Sequence, residues 1–384
     1  GNIRYKRIQH TWGKTTYDND GKSKASCIWC GASKTEYDRS KELETYAYEW
    51  IHTQNPEEIF KMKFDVIIGN PPYQLSTGGG SAQATPLYNK FVEQAKKLKP
   101  RYLSMIIPSR WFAGGMGLDK FRSSMLGDGH ITKLVDFPNA KDCFSQSSIG
   151  GGVCYFLWER DVVGLCQVTN ILSRKENTLK RKLNEYDVFV RYNSAITIIR
   201  KIPPTEKRFS LLCSSLSPFG INSSVRGSEC LFPNAYALYS SKGLGYVHRS
   251  VVTAGFDYID KYKILISKTS AEHAGEPDSN GTFKVLSRIS PLGPNEICTF
   301  SYFVAGPFNT EKELENAITY LKTKFVRFLI LQAVSSINLS KEKFQFVPMQ
   351  DFSKPWTDAE LYAKYNLTQE EIDFIESMIK PMVD

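Results

Sequence analysis

The sequence lacks an apolar stretch that could cross a membrane. Its longest apolar run, residues 328–334, is far shorter than the ~20 residues that span a bilayer. No secretory leader is apparent, and the eight cysteines among 384 residues are too sparse for a disulfide framework. Together these absences predict a reducing, cytoplasmic location. The first residue is Gly1 rather than methionine, so we expect the natural N-terminus to lie further upstream.

Acidic residues are the minority among the charged side chains. The net charge is +9 and the isoelectric point is about 8.9, which suits a polyanionic partner such as DNA. The densest basic segment, residues 174–208, carries ten Lys or Arg against four Asp or Glu. It either follows phosphates, which position a protein without reading sequence, or forms a solvated face.

The segment FDVIIGNPPY, residues 64–73, joins a short apolar run to two prolines. Residues 66–68 form a β-branched run followed by a glycine, as expected for a strand covered on both faces. Pro71 and Pro72 then end the strand, because each fixes φ and lacks a backbone N–H. The sequence predicts a stiff corner at the carboxyl end of a strand, carrying Asn70 and Tyr73.

Asn-Pro-Pro-Tyr has functional groups that suit an extruded base. The amide oxygen of Asn70 and the carbonyl of Pro71 could accept both hydrogens of an exocyclic amine, while Tyr73 offers a ring for stacking. Extruding a base costs a few kcal/mol. Stacking contributes ~1–3 kcal/mol and each buried hydrogen bond ~1 kcal/mol, so the site roughly offsets that cost. The structural alternative is a loop that merely terminates a strand.

Strands and helices alternate between residues 64 and 160. This order predicts an α/β fold, with a parallel sheet covered by helices and ligands beyond the carboxyl ends of its strands. The predicted helices carry apolar faces at Leu87, Phe91, Ala95 and Leu98, and at Leu118, Phe121 and Met125. The predicted strands are 64–68, 102–109, 130–137 and 152–160.

The sequence changes in character after residue 160. Short β-type runs (CQVTNIL, DVFVRY, KYKILIS and GTFKVL) are separated by Gly, Pro and Ser clusters. A long helix follows from a Thr310/Glu313 capping box, and two further boxes are expected at Thr357/Glu360 and Thr368/Glu371. We expect an irregular N-terminal segment (1–63), an α/β half-domain (64–165) and an α+β domain with C-terminal helices (166–384).

FDVIIGNPPY resembles motif IV of the adenine-N6 DNA methyltransferases, and the next segments resemble the rest of their catalytic half. PLYNKFVEQA (86–95) is similar to motif V and LSMIIPSRWF (103–112) to motif VI. KLVDFPNAKDCF (133–144) and GGVCYFLWERD (151–161) are similar to motifs VII and VIII. The motif order and the β-rich region that follows resemble the Eco57I-type modification methylases of bacterial restriction–modification systems.

This resemblance implies a Rossmann-like catalytic half followed by a target-recognition domain that reads double-stranded DNA. It implies S-adenosylmethionine as the methyl donor and adenine as the acceptor. Asn70, Pro71, Pro72 and Tyr73 correspond to the catalytic tetrad, with Asn70 and Pro71 also next to the cofactor. Tyr73 stacks on the flipped base, and Phe144 is a candidate for the second aromatic that covers it.

The chain departs from the family before the Asn-Pro-Pro-Tyr motif. A methyltransferase needs a glycine-rich strand–turn–helix for the cofactor and an acidic residue for its ribose, and residues 1–63 contain neither. The glycine runs at 78–80 and 150–152 come too late in the chain. We therefore expect a fragment that lacks the cofactor half and is inactive alone. The edge of strand 64–68 would then need cover from residues 1–63 or from a homodimer.

Cys27 and Cys30 lie in a CxxCG knuckle, which suits zinc but supplies only two of four ligands. His10 and His52 flank the knuckle and could complete a Cys2His2 site. Ligands upstream of the sequence, or two inert thiols, are the alternatives.

Two other functions remain open. The chain could be a DNA-specificity module without chemistry of its own, or part of a restriction–modification polypeptide with a nuclease fused upstream or encoded nearby. Base-reading residues would then lie on loops of residues 161–350, such as 222–229. Asp257, Asp260 and Lys263 do not form a nuclease motif, and we interpret them as a solvated strand edge.

Overall fold

The computed structural model divides the chain into two compact units, Gly1–Phe189 and Val190–Asp384. No helix among the residues it describes is both long and apolar enough to cross a membrane. The described residues are 12–14, 16–17, 23–26, 28, 34, 50–60, 62–75, 85–145, 149–271, 277–278, 281–334 and 338–382.

Helices and strands alternate in the first unit, which ends in consecutive strands, whereas the second unit begins with one helix, continues with strands and ends with further helices. The helices are α1 Pro56–Phe60, α2 Tyr88–Lys97, α3 Asp119–Gly127, α4 Asn193–Arg200, α5 Glu311–Lys322, α6 Lys324–Ala333, α7 Asp358–Lys364 and α8 Gln369–Met378. The strands are β1 Thr16–Tyr17, β2 Ser23–Lys24, β3 Val66–Gly69, β4 Gln74–Leu75, β5 Thr85–Pro86, β6 Tyr102–Pro108, β7 Ile131–Phe137, β8 Val153–Glu159, β9 Cys166–Leu172, β10 Lys175–Arg181, β11 Ala235–Ser240, β12 Gly243–His248, β13 Tyr262–Ser267, β14 Ile289–Leu292, β15 Glu296–Cys298 and β16 Tyr302–Phe308.

A six-stranded mixed sheet organises the first unit, in the order β10-β9-β7-β8-β6-β3. β3 is parallel to β6, and β7 is parallel to β9. β8 runs antiparallel to both β6 and β7, between which it lies. The carboxyl ends of β3, β6, β7 and β9 therefore share one edge of the sheet. The predicted α/β fold class is confirmed, but the sheet is mixed and not parallel throughout: β8 is an antiparallel strand inserted between β6 and β7, and β10 is an antiparallel strand at the edge.

Helices α2 and α3 cover one face of this sheet. Their apolar positions recur every three or four residues, and this spacing buries Val92 and Ala95 of α2 and Phe121 and Met125 of α3. Trp111 packs between them, its ring centroid 5.9 Å from that of Phe121. Fully burying a side chain of this kind stabilises the fold by about 1.5–3 kcal/mol.

The edge strand β3 is covered on one face only. Ile67 packs against the core beneath α2, whereas Val66 and Ile68 on the other face are 52% and 79% exposed. The prediction of a strand covered on both faces is therefore wrong for this strand. Among the described residues, only β6 pairs with β3, so its outer edge lacks a neighbouring strand.

The first unit extends beyond the boundary that the sequence indicated at residue 165. β9 pairs with β7, and β10 pairs with β9 through seven residue pairs. These pairings continue the same sheet, so residues 166–181 belong to the first unit. The change in sequence pattern after residue 160 therefore corresponds to the β-hairpin formed by β9 and β10, and the second unit begins at Val190.

The second unit contains two three-stranded sheets, β12-β11-β15 and β14-β13-β16. Of the predicted strands, KYKILIS forms β13 in the second unit, whereas CQVTNIL forms β9 in the first unit. DVFVRY forms no strand, and GTFKVL contributes only isolated bridges at Phe283 and Leu286.

The predicted long helix after Thr310 is two helices. Thr323 leaves the helical conformation, with φ −58° and ψ 150°, and its side chain accepts a hydrogen bond from the N–H of Val326. The apolar spacing continues across this break, which is why periodicity alone did not show it. The buried guanidinium of Arg327 holds the break by donating to the carbonyl oxygens of Lys322 and Thr323.

Side-chain caps form at all three predicted positions. Thr357/Glu360 and Thr368/Glu371 are complete capping boxes. At the start of α5, Thr310 accepts from the N–H of Glu313, but Glu313 accepts from the N–H of Asn309 instead of that of Thr310. This third cap is therefore only half of the predicted box.

Lys263 is buried rather than solvated. Its Nζ donates to the carbonyl oxygens of Lys261 and Gly293, each at 2.9 Å. Burial lowers the pKa of this amine to about 8. The interpretation of Lys263 as part of a solvated edge is wrong, because main-chain carbonyls replace the water that would otherwise surround the charge.

Asp128 links three elements of the first unit. Its carboxylate lies 2.5 Å from Nζ of Lys96 in α2 and accepts hydrogen bonds from the indole of Trp158 and the N–H of His130. Burial alone would raise the pKa of this carboxyl, but the hydrogen bonds and the charge of Lys96 hold it below the ordinary value.

We predict that Asp128→Asn lowers the free energy of unfolding by about 1–3 kcal/mol at neutral pH. Since the folded-state pKa is depressed, the stabilisation is present above the unfolded-state pKa and is lost as the pH falls through the folded-state value. Urea unfolding at several pH values measures both effects. Asp161→Asn, at an exposed carboxylate, is the control; equal stability losses in the two variants would contradict the prediction.

Candidate active site at the carboxyl edge of the sheet

The Asn-Pro-Pro-Tyr corner begins where β3 ends, at the edge of the sheet that also receives the carboxyl ends of β6 and β7. β8 starts at the same edge, and the N–H of Ser109 after β6 bonds to the carbonyl of Gly152 before β8. In sheets of this kind, ligands bind beyond the carboxyl ends of the strands. The structure therefore places the predicted corner where an α/β protein builds its binding sites.

Asn70 is exposed at this corner, whereas Pro71 behind it is buried. Within the described part of the chain, the Asn70 side chain forms no hydrogen bond, so its amide can serve a ligand. Pro72 is exposed and adds a second fixed φ to the segment. The corner thus combines a rigid backbone with one uncommitted amide group and the carbonyl of Pro71.

Tyr73 turns back toward the sheet and is half-buried. Its ring packs beside a small cluster formed by Phe137, Ala140 and Val153. The phenolic oxygen is buried and has no hydrogen-bond partner among the described residues. The pKa of this phenol is raised first by burial and then by the neighbouring Cys143 and Cys154. The ring is thus held by packing, not by its hydroxyl.

Phe144 borders the same cluster as Tyr73. It follows the 3-10 turn at Ala140–Asp142, and its N–H bonds to the carbonyl of Ala140. The structure therefore brings the two predicted aromatic residues to one hydrophobic cluster at the carboxyl edge. Phe144 is half-buried, so it remains a candidate for contact with a base.

A buried polar network that was not predicted from the sequence joins the ends of β6, β7 and β9. Ser109 after β6 donates to Asp136 of β7 at 2.8 Å, and Asn170 of β9 lies 3.4 Å from the other carboxylate oxygen. Asp136 is 1% exposed. Asp136 in the apolar run KLVDF was the signal that could have predicted this network. A carboxylate within a buried strand requires polar partners.

Some buried polar atoms of the first unit have no hydrogen-bond partner among the described residues. The N–H of Leu87 bonds to the carbonyl of Tyr73, which places the start of α2 beside the corner. Oδ1 of Asn89, Nε of Arg110 and Nε1 of Trp111 are buried without hydrogen bonds. Nearly all buried polar groups are satisfied in folded proteins, so the exception at Asn89, on the helix start that bonds to the corner, suits a polar ligand atom.

An apolar groove of ≈ 410 Å³ runs beside β3. Its walls are apolar side chains and include Trp50, Val66, Ile68, Phe91 and Met105. It offers no carboxylate for ribose hydroxyls and no donor for an amino-acid carboxylate. The residues that line this groove therefore do not form a complete site for S-adenosylmethionine.

The predicted zinc ligands His10, Cys27 and Cys30 lie outside the described residues, as does the glycine run at 78–80. His52 lies in a short helical turn of the described part. No group of three or more His, Cys, Asp or Glu side chains suited to a metal occurs among the described residues. Zinc binding stays a prediction.

Comparison with known proteins gives a match over the part of the chain that carries all but the last of the predicted motifs, which lies at 151–161. Residues 1–144 match the family described as Eco57I restriction-modification methylase. A curated protein of Mycoplasma pneumoniae (strain ATCC 29342 / M129 / Subtype 1), named "Uncharacterized adenine-specific methylase", is 36% identical over 201 residues. The match covers 50% of this chain and 46% of that protein, so the chain spans about half the length of its relative.

Solved structures with a distant likeness include the type IIG restriction endonuclease BpuSI, at 11% identity and a TM-score of 0.36, covering 79% of this chain and 49% of that one. The type IIL restriction-modification enzyme MmeI in complex with DNA has 10% identity and a TM-score of 0.38, covering 76% and 47%. Neither likeness defines the function of this chain. The sequence match confirms the resemblance that the motifs indicated: residues 1–144 of this chain are similar to the Eco57I restriction-modification methylase family.

Proposed function

We propose that this chain is the adenine-binding and target-recognition part of an adenine-N6 DNA methyltransferase of a bacterial restriction–modification system. One observation carries the proposal: Asn70 is exposed and forms no hydrogen bond with any described residue, on a backbone fixed by two prolines at the carboxyl edge of a mixed α/β sheet. The motif match and the adenine-specific relative support the same activity.

Asn70 and Pro71 act on the acceptor amine. The Asn70 side-chain oxygen and the Pro71 carbonyl each accept one N–H of the adenine amino group. Accepting both hydrogens directs the nitrogen lone pair away from the ring and toward the methyl donor, which raises its nucleophilicity. Because the prolines hold the two acceptors in place before binding, little conformational entropy is lost when the amine arrives.

Tyr73 supports the extruded base through its ring. A base that leaves the duplex loses its stacking partners, and an aromatic ring replaces about 1–3 kcal/mol of that loss. The ring is already packed against Phe137 and Val153. Phe144 borders the same cluster and is the second surface that we assign to the base.

The cofactor half packs against the open edge of β3 in this proposal. Val66 and Ile68 expose large apolar areas there, and the adjoining groove is apolar. An exposed apolar strand edge favours pairing with another strand. A polypeptide carrying a glycine-rich strand–turn–helix would cover this edge and supply the missing cofactor contacts. The net charge of +9 suits DNA as the substrate, read by loops of the second unit such as 222–229.

We predict that Asn70→Ala lowers methyl transfer to DNA by the complete enzyme at least about a hundredfold, the scale of losing one positioned hydrogen-bonding group. DNA binding should be retained, because Asn70 contacts one extruded base. Tritium transfer to adenine and fluorescence anisotropy measure the two properties, and Asn177→Ala on the exposed strand β10 is the control. Unchanged methylation in Asn70→Ala would leave the chain as a specificity module without chemistry.

We predict that Tyr73→Phe keeps activity and does not reduce stability, because the hydroxyl that it removes is buried without a partner. Tyr73→Ala should lose most activity and about 1–2 kcal/mol of stability, since it removes the half-buried ring. Thermal unfolding and methyl transfer distinguish the two variants. A large activity loss in Tyr73→Phe would show that the hydroxyl, not the ring, serves the base.

We predict that the chain alone binds S-adenosylmethionine weakly or not at all, because its described residues provide only one side of a cofactor site. Isothermal titration calorimetry with the purified chain measures the affinity. Micromolar binding by this chain would contradict the assignment of the cofactor contacts to another polypeptide segment.

A further inference from the structure

We propose that Arg110 binds a phosphate of the DNA strand that carries the extruded adenine. The inference rests on the proposed function, because it deepens the same site. It names the group that would hold the backbone while Asn70 and Pro71 hold the base.

Arg110 is a half-buried cation without an anionic partner. Its Nε is buried and forms no hydrogen bond, and no carboxylate of the described residues forms an ion pair with it. A guanidinium stays charged at all accessible pH values. Removing such a charge from water without pairing it is unfavourable, so Arg110 is positioned for an anion that arrives with a ligand.

The position of Arg110 connects it to the Asn-Pro-Pro-Tyr corner. It lies two residues after β6, which is parallel to β3, so both reach the same sheet edge. Tyr73 accepts a hydrogen bond from Leu87, which precedes Tyr88 in α2. The positive charge of Arg110 in turn acts on the phenol of Tyr88, whose pKa is raised mainly by burial.

The start of α2 strengthens the preference for an anion at this place. α2 has ten residues, its N-cap Leu87 supplies no side-chain cap, and its first turn contains no acidic residue. The free N–H groups at a helix start carry partial positive charge. In the proposed arrangement, a phosphate held by Arg110 would also interact favourably with this helix start.

The loop after Arg110 leaves room for a nucleic-acid backbone. Residues 114–117 all have positive φ, and a Cβ at Gly115 or Gly117 would contact nothing within 4 Å. Backbone without side chains at Gly115 and Gly117 allows a ligand to approach closely, although Met116 between them carries a side chain. A phosphodiester chain that enters the site over this loop would reach the guanidinium of Arg110 directly.

The test measures the salt dependence of binding to a single-stranded oligonucleotide that contains adenine, since such a base needs no unpairing. For Arg110→Gln we expect the slope of log affinity against log salt concentration to fall by about 0.7, as for one lost phosphate contact on a single strand. Arg110→Lys should keep that slope, because it retains the charge. Fluorescence anisotropy of a labelled oligonucleotide gives the slope.

Arg101→Gln is the matched control, because it makes the same charge change before the amino end of β6. An unchanged slope in Arg110→Gln, an equal fall in Arg101→Gln, or no binding by the unaltered chain would each overturn the assignment. Circular dichroism of each variant confirms that it is folded. If Arg110→Gln leaves the slope unchanged while Asn70→Ala still abolishes methyl transfer, only the phosphate assignment fails.

Discussion

Two consecutive prolines fix the backbone at the end of β3, and the proposed chemistry depends on that constraint. Pro71 is buried against the unit, so the segment is held by packing as well as by its fixed φ angles. Asn70 precedes it and is restricted to extended geometry by the following proline. The amide is thereby presented outward at the sheet edge, without a local hydrogen bond that a ligand would have to displace.

The sheet supplies the rest of the constraint. β3, β6, β7 and β9 end at one edge, and the network of Ser109, Asp136 and Asn170 connects the ends of β6, β7 and β9. At the opposite edge of the sheet, Asp128 links α2 to β8 through Lys96 and Trp158. The corner thus stands on a scaffold that is rigid on its inner side. Its outer side, along β3, is exposed and apolar.

The elements with strong local signals were predictable from sequence. β6, β7 and β8 lie close to the predicted bounds, because each is an apolar run between turn residues. The Thr357/Glu360 and Thr368/Glu371 boxes formed because both partners of a cap are within three residues of one another. The position of Asn70 at the end of a strand followed from the prolines alone.

Features set by tertiary contacts were not predictable. The insertion of β8 between β6 and β7 depends on long-range pairing, and the burial of Lys263 depends on carbonyls from a distant loop. The break at Thr323 leaves the apolar spacing intact, so the pattern does not reveal it. Arg110 belongs to the segment that resembles motif VI. Only the fold shows that its Nε has no hydrogen-bond partner among the described residues.

The most direct measurement is a structure of the chain bound to a single-stranded oligonucleotide that contains adenine. The account predicts an adenine ring stacked on Tyr73, with its amino group within hydrogen-bond distance of the Asn70 side-chain oxygen and the Pro71 carbonyl. An adenine bound elsewhere, with Asn70 and Pro71 making no contact to it, would contradict the central claim.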